Sequence, residues 1–144
     1  MIIRKGKISD LKELLKLLNS TPELQSTAEG QTYPLQFVKG TLTGKDRNLV
    51  LIAEENKKLI GFLTAELWKD KKYSYLTDIF VKVEYQKKGV ASKLMKEYEK
   101  ICKKYKMDFI VGSVMVSNKK MQNFVEKLNY KKGHKVYLYE KKLK

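Results

Sequence analysis

The sequence has few of the residues that build disulfide-bonded or metal-bound scaffolds. It contains one cysteine, one histidine and two prolines in 144 residues. A single cysteine cannot form an internal disulfide bond, and one cysteine with one histidine is too few ligands for a zinc site. We therefore expect one domain, residues 1–144, stabilised by an apolar core, with no metal and in a reducing cytoplasmic setting.

Long apolar runs and acidic residues are also scarce. No run approaches the roughly 18 apolar residues of a membrane span, and the N-terminal Met-Ile-Ile-Arg-Lys does not resemble a signal peptide. Lys and Arg number 31 against 16 acidic residues, and all but Arg4 and Arg47 are lysine. A nucleic-acid reader more often uses arginine forks. We interpret the dispersed lysines as a solvated surface that also attracts a polyanionic ligand, and expect no nucleic-acid or membrane partner.

The most informative stretch is a strand, a basic turn and a helix between Tyr75 and Tyr105. β-branched and aromatic residues dominate the strand, the turn reads Gln86-Lys-Lys-Gly89, and apolar residues recur with a helical period from Val90. The first turn of a helix has unpartnered amides and partial positive charge. This turn can therefore bind phosphate or pyrophosphate. The alternative is an ordinary βα turn that happens to carry lysines.

The remaining periodicity predicts an α/β fold with a mixed sheet and helices on both faces. Three strands joined by tight turns predict an antiparallel meander, and a following βαβ unit predicts a parallel pair. The first half should contain a strand at 1–5, a helix capped by Ser9, a weakly patterned stretch at 21–44 with a short helix at 35–42, and strands at 48–54 and 59–68. The second half should contain a strand at 73–83, a helix at 89–105, a strand at 108–116 covered on both faces, a helix around 121–128, and a last strand at 135–140.

Two motifs resemble those of a known enzyme family. Gln86-x-x-Gly89-x-Ala91 resembles the pyrophosphate-binding motif of the GNAT superfamily of N-acetyltransferases. Asn118, followed by a short helix that ends at Asn129-Tyr130, is similar to the family's second signature. The strand before the turn is more weakly similar to diamine acetyltransferases. The resemblance implies an acyl-CoA N-acyltransferase fold and, in some members, a homodimer.

The activity implied by this resemblance is direct transfer of an acetyl group from acetyl-CoA to a primary amine. The acceptor is a small amine, a polyamine, or a protein N-terminus or lysine. In the family, strand backbone contacts pantetheine, turn amides bind pyrophosphate, and the Asn of the second signature bonds the pantetheine arm. Carried over, the cofactor-binding residues are Ile79, Phe80, Val81, Gln86, Lys87, Lys88, Gly89, Val90, Ala91, Ser92, Asn118 and Lys127. Asn118 is equally a good helix N-cap, and Lys127 can be a solvated lysine.

Proton chemistry is harder to assign. Three positions that carry acids or bases in family members hold Thr77, Ser113 and Val125 here. Asp78 is the remaining candidate, as general base or as partner of the substrate ammonium, and its alternative is a polar strand residue paired with a lysine. A water relay needs no side chain at all.

Other residues are weaker candidates for the site. Glu66, Tyr137 and Tyr139 are less favoured for proton transfer, and a polycationic acceptor would need Glu29 and Glu66 to converge with Asp78. The single cysteine, Cys102, lies on the apolar stripe of the main helix and is expected to be a buried structural thiol. The single histidine, His134, reads as an exposed turn residue, and Trp68 as a lining of the acceptor cleft or a cap on the core.

Two other functions remain open from the sequence. Without the customary acid and base residues, the chain can be a non-catalytic protein that binds acetyl-CoA as a sensor or scaffold. From charge alone, it can be a basic nucleic-acid-binding module, which would bind with a steep dependence on salt.

Overall fold

The computed structural model describes residues 1–24, 32–44 and 47–144. These residues form two compact units, Met1–Gly112 and Ser113–Lys144, and each is described by itself. The first unit contains a five-stranded sheet and three α-helices, and the second contains one. The strands are β1 (Ile2–Lys5), β2 (Asn48–Glu55), β3 (Lys58–Trp68), β4 (Tyr73–Val81) and β5 (Phe109–Gly112); the helices are α1 (Leu11–Ser20), α2 (Leu35–Leu42), α3 (Val90–Lys104) and α4 (Lys119–Lys127). The prediction of one domain over 1–144 stays a prediction.

The sheet confirms the predicted mixed topology. Its strands lie in the order β1-β2-β3-β4-β5, with β1 to β4 antiparallel and β4 paired in parallel with β5. Asn56 and Lys57 join β2 to β3 with φ values of 51° and 62°, the left-handed pair that a tight hairpin turn requires. Helix α3 connects β4 to β5, as a parallel pair needs.

Helices cover both faces of the sheet. On one face, a buried cluster joins α1 and α2 to β2 and β3; its members include Leu14, Leu18, Val38, Leu42, Val50, Ile52 and Phe62. On the other face, α3 buries Leu94, Met95, Tyr98 and Cys102, so the cysteine is buried as predicted. The first face is called the α1/α2 face below.

Three predicted boundaries are wrong. Ser9 does not cap α1, because a 3₁₀ helix at Ile8–Asp10 comes first and Asp10 occupies the N-cap position. The strand expected to reach residue 83 ends at Val81 and gives way to a 3₁₀ helix at Val83–Tyr85. The strand expected at 108–116 ends at Gly112, and Phe109 is 71% exposed, so β5 is not covered on both faces.

The predicted last strand is also wrong. Residues 130–144 contain no helix or strand, and residues 131–144 are exposed, including His134 as expected. Alternating side chains at 135–140 fit a strand, but a strand forms only where a second strand accepts its hydrogen bonds. Helix α4, in contrast, forms near the predicted position and is closed by Asn129, whose φ of 69° suits a residue tolerant of the left-handed region.

None of the helices in the described ranges combines the length and apolar character needed to cross a bilayer. Within the same ranges, no three or more His, Cys, Asp or Glu side chains group in a way that could hold a metal ion.

Candidate active site

The candidate site begins where β4 loses one of its two neighbours. Parallel pairing with β5 runs from Tyr73↔Phe109 to Leu76↔Gly112 and ends there. Beyond that point Ile79, Phe80 and Val81 pair with β3. In the described part of the chain, no strand pairs with the opposite edge of this stretch. An open strand edge presents backbone donors and acceptors to an extended ligand.

A glycine on β3 brings the two backbones close together at this edge. A Cβ atom on Gly61 would lie 2.7 Å from the Phe80 carbonyl oxygen, closer than real Cβ contacts allow. The Lys82 amide also donates to the Ile60 carbonyl at 2.9 Å. The end of β4 is therefore fixed against β3, a role of Gly61 that no local sequence pattern predicted.

The basic turn has the backbone geometry of an anion cradle. Gly89 is the N-cap of α3 with φ of 81°, and a Cβ there would meet no atom within 4 Å. The glycine is therefore needed for its backbone conformation and not for space. Lys87 also has a positive φ, 60°. The chain turns sharply into α3, whose first-turn amides at Val90, Ala91 and Ser92 have no acceptor within the helix.

The side chains of the turn divide into structural and exposed groups. Gln86 Nε2 donates to the Val81 carbonyl at 3.0 Å, which joins the turn to the end of β4. Val90 is buried and fixes the start of α3, whereas Lys87 and Lys88 are exposed. The two lysines add positive charge where the helix dipole is also positive.

A β-bulge on β4 changes the direction of the side chains just before Ile79. Thr64 pairs with Asp78 and Ala65 with Leu76, so Thr77 is the extra residue on β4. The bulge shifts the phase of β4 and turns Asp78 to the side of the sheet that carries Phe62 and Phe80. Those two rings are 5.6 Å apart, and Phe62 belongs to the core of the α1/α2 face.

Asp78 belongs to a short hydrogen-bonded chain. Thr64 Oγ1 donates to Asp78 Oδ2 at 3.2 Å and lies 2.6 Å from Thr77 Oγ1. Burial raises the pKa of the Asp78 carboxyl above its ordinary value, and the Thr64 hydrogen bond opposes the rise. The lysine partner considered from the sequence is not found among the described residues. A half-buried carboxyl with a raised pKa suits a general base.

The α1/α2 face also carries described residues of the stretch at 21–44, among them Leu24, Val38 and Leu42. The Tyr33 amide donates to Asn19 Oδ1 at 2.6 Å, and the Tyr33 hydroxyl donates to the Leu24 carbonyl at 2.6 Å. These contacts join the end of α1 to the start of α2. Glu29, which a polycationic acceptor would need close to Asp78, lies outside the described residues. Glu66 is on β3, two residues from Thr64.

The second unit contains the remaining predicted residues. Asn118 caps α4, because its Oδ1 accepts from the Met121 amide at 3.1 Å, and this contact leaves its Nδ2 group to donate. Lys127 is exposed in the last turn of α4, and Val125 is half-buried. Gln122 Nε2 donates to the Met115 and Val116 carbonyls at 3.0 and 2.8 Å, which braces the loop before the helix.

Sequence comparison relates the chain to one family. The model of the "Acetyltransferase (GNAT) family" matches residues 11–130. No match was found among curated proteins.

Solved structures show the same fold. An aminoglycoside acetyltransferase from an uncultured soil metagenomic sample, in complex with sisomicin, has a TM-score of 0.79 at 15% identity and covers 99% of this chain and 96% of its own. An aminoglycoside antibiotic 6'-N-acetyltransferase from Acinetobacter haemolyticus has a TM-score of 0.77 at 22% identity over 100% of both chains. A PaiA N-acetyltransferase from Thermoplasma acidophilum, in complex with coenzyme A, has a TM-score of 0.77 at 23% identity over 88% and 87%.

Proposed function

We propose that the chain, which belongs to the acetyltransferase (GNAT) family, transfers the acetyl group of acetyl-CoA to a primary amine of a small molecule. Family membership makes it an acetyl-CoA-dependent N-acetyltransferase, because the family model spans most of the sequence. The choice of acceptor and the roles of individual residues are our proposal.

The observation that carries the proposal is the continuity of the open β4 edge with the α3 cradle. We infer that the backbone of Ile79, Phe80 and Val81 pairs with the pantetheine arm. The amides from Lys87 to Ser92 then receive the pyrophosphate, and Gln86 borders it by holding the turn to Val81. This arrangement suits a long ligand with a peptide-like arm and a polyanionic end.

Two residues of the second unit, which is described by itself, are further candidate cofactor contacts. The Nδ2 group of Asn118 is available to donate to the pantetheine arm, since the helix cap uses Oδ1. Exposed Lys127 is proposed to lie near the nucleotide. Acetyl-CoA supplies the activated acetyl group, and the chain binds it, orients it and handles the protons.

Asp78 is proposed to take the proton from the incoming ammonium. A primary amine of ordinary basicity is mostly protonated at pH 7 and cannot attack until it loses a proton. Asp78 faces the α1/α2 side, where Leu24 and Tyr33 pack into or against the same core cluster as Phe62. Its carboxylate can bind the ammonium first and then accept the proton.

Three observations support a small-molecule acceptor. Two of the similar structures are aminoglycoside acetyltransferases, and one of them is bound to sisomicin. The net charge of +15 repels any highly cationic acceptor over a long range, peptide or small molecule, and so favours a small amine with few charges. Asp78 offers a local negative site that a small amine can reach.

The acceptor is tested by an amine panel. CoA thiol release from acetyl-CoA would be followed with a short monoamine, a polyamine, an aminoglycoside and a peptide with a free N-terminus. We expect saturable acceleration by at least one small amine and a weaker effect of the peptide. Tight acetyl-CoA binding with no acceleration by any amine would instead indicate a non-catalytic binding protein.

The cofactor cradle makes a separate prediction about two glycines. Gly89 and Gly44 have positive φ values of 81° and 67°, and neither would place a Cβ near another atom. Alanine at either position should cost about 1–2 kcal/mol of folding free energy. Only Gly89→Ala should also weaken acetyl-CoA binding, by about tenfold in a calorimetric titration. Equal acetyl-CoA affinity in Gly89→Ala and Gly44→Ala would show that the turn at Gly89 does not bind the cofactor.

A further inference from the structure

Thr64 is the one polar residue in an otherwise apolar stretch of β3. Residues 59–63 and Ala65 are apolar or glycine, and the Thr64 side chain is buried with the residue only 7% exposed. A hydroxyl in such a position needs a partner, because burial of an unpaired polar group costs free energy. Its partners are Asp78 and Thr77 on β4.

An ionised Asp78 carboxylate can only accept hydrogen bonds, and this sets the direction of the contacts around it. A hydroxyl has one proton to donate, and Thr64 donates it to Asp78 Oδ2 at 3.2 Å. While Thr64 donates to Asp78, Thr77 is the donor in its 2.6 Å contact with Thr64. The β-bulge makes this possible, since an unbulged strand would turn Thr77 and Asp78 to opposite faces.

We propose that Thr64, itself oriented by Thr77, is a positioning residue that aims the Asp78 carboxylate at the α1/α2 face and stabilises its ionised form. The proposal rests on the proposed function, in which Asp78 is the base. Thr64 touches neither substrate nor cofactor in this scheme and acts only through Asp78.

A hydroxyl group is a better hydrogen-bond partner than a cation for a carboxylate that acts as a general base. A lysine or arginine partner stabilises only the ionised carboxylate and makes it a weak base. The Thr64 hydroxyl can donate while Asp78 is ionised and accept once Asp78 has taken a proton, because it holds both a proton and lone pairs. Thr77 is exposed, so its own hydroxyl can exchange partners with solvent as the direction reverses.

The charged groups on neighbouring elements do not replace this role. They are Glu66 on β3, Lys82 after β4, which pairs with Glu13 of α1 at 2.9 Å, and Lys39 on α2. Among the described residues, burial and the Thr64 hydrogen bond are what move the pKa of Asp78. Removing the Thr64 hydroxyl should therefore leave only the effect of burial, and the pKa should rise further.

The test compares Thr64→Val, which keeps the shape of the side chain, with Thr64→Ser, which keeps the hydroxyl. The Asp78 carboxyl carbon would be titrated by NMR, its signal identified by its loss in Asp78→Asn. We expect Thr64→Val to shift this titration to higher pH and to lower kcat/KM severalfold on the acid side of the pH profile. Thr64→Ser should keep the wild-type Asp78 titration and the wild-type kcat/KM. Thr41→Val, which removes a hydroxyl bonded to the Phe37 carbonyl, should change neither the titration nor kcat/KM.

An unshifted Asp78 titration in Thr64→Val would overturn the proposal. The NMR titration needs no turnover, so it decides the role of Thr64 even if no amine is a substrate. If no amine is a substrate, the proposed function is contradicted. The shift of the Asp78 titration in Thr64→Val then still decides whether Thr64 positions Asp78.

Discussion

Two aspartates of the first unit have opposite environments. Asp10 is 8% exposed, and the Arg4 guanidinium binds both of its oxygens at 2.8 Å. The Lys7 amide adds a third contact at 2.8 Å. Asp78 is half-buried and accepts from the Thr64 hydroxyl at 3.2 Å.

The pKa shifts of the two carboxyls differ in direction for this reason. Burial acts to raise both pKa values. At Asp10 the hydrogen bonds from Arg4 and the Lys7 amide outweigh burial, so its pKa falls below the ordinary value. At Asp78 burial outweighs the single hydroxyl, so its pKa rises. Burial and hydrogen-bond partners together decide which carboxyl is a structural anion and which is suited to move protons.

The largest expected effect is the loss of activity in Asp78→Asn. Removal of a general base typically costs 10² to 10⁴ in rate, so we expect kcat to fall by about 10²-fold or more. The affinity for acetyl-CoA should not change, since the proposed cofactor contacts lie elsewhere on β4 and α3. The measurement is steady-state kinetics with a calorimetric titration of the same variant. Wild-type kcat in Asp78→Asn would exclude Asp78 as the base.

Arg4→Met should have the next largest effect, and on stability instead of rate. The variant leaves buried Asp10 without its cationic partner and removes the 2.9 Å contact between Arg4 and Glu54. We expect a loss of about 2–3 kcal/mol of unfolding free energy in chemical denaturation, with kcat little changed.

The matched control is Lys82→Met, which breaks a more exposed pair with Glu13, where the side chains are 26% and 39% exposed. Its cost should stay below about 1 kcal/mol, as for other exposed ion pairs. Equal losses of unfolding free energy in Arg4→Met and Lys82→Met would mean that the buried Arg4 ion pairs stabilise the fold no more than an exposed ion pair does.

The smallest expected effect is the pH dependence of stability, which has opposite signs at the two sites. The pKa of Asp10 is lowered by folding, so its stabilisation is present above an unfolded pKa of about 3.9 and is lost as pH falls through the folded value. The pKa of Asp78 is raised, so its ionisation destabilises the fold as pH rises through the window above about 3.9.

Unfolding free energies measured between acidic and neutral pH should separate the two contributions. The loss of unfolding free energy in Arg4→Met, relative to wild type, should become smaller as pH falls. Any unfolding free energy that Asp78→Asn gains over wild type at neutral pH should disappear in acid. Parallel curves for wild type and Asp78→Asn would contradict a raised pKa at Asp78.

Much of the fold was accessible from the sequence, because its signals are local. The change from strand to helical period at Gly89 predicted the β4, turn and α3 unit, and polar turns at 55–58 and 69–72 predicted the antiparallel strands. The need for positive φ at Gly89 follows from the same turn. These features depend on residues that are close together in the chain.

What the sequence could not provide depends on pairing between distant segments. The alternation at 135–140 matches a strand, but no local pattern reveals whether a second strand is present to pair with it. The bulge at Thr77 is equally hidden, since no local pattern in Tyr73–Val81 marks the extra residue. Thr64 gave one sequence signal, because it is a lone hydroxyl in an apolar part of β3. Its contact with Asp78 becomes clear only from the pairing of β3 with β4, which places the two residues opposite each other.

The most direct test of Asp78 as the base compares two acceptors in wild type and Asp78→Asn. One is a primary amine that is protonated at pH 7, and the other is a weakly basic amine of similar size that is already neutral. A base is needed most by the protonated amine. The account predicts a large loss of kcat/KM for the protonated amine and a much smaller loss for the neutral one. Equal losses for both amines would show that Asp78 does not act by removing the proton.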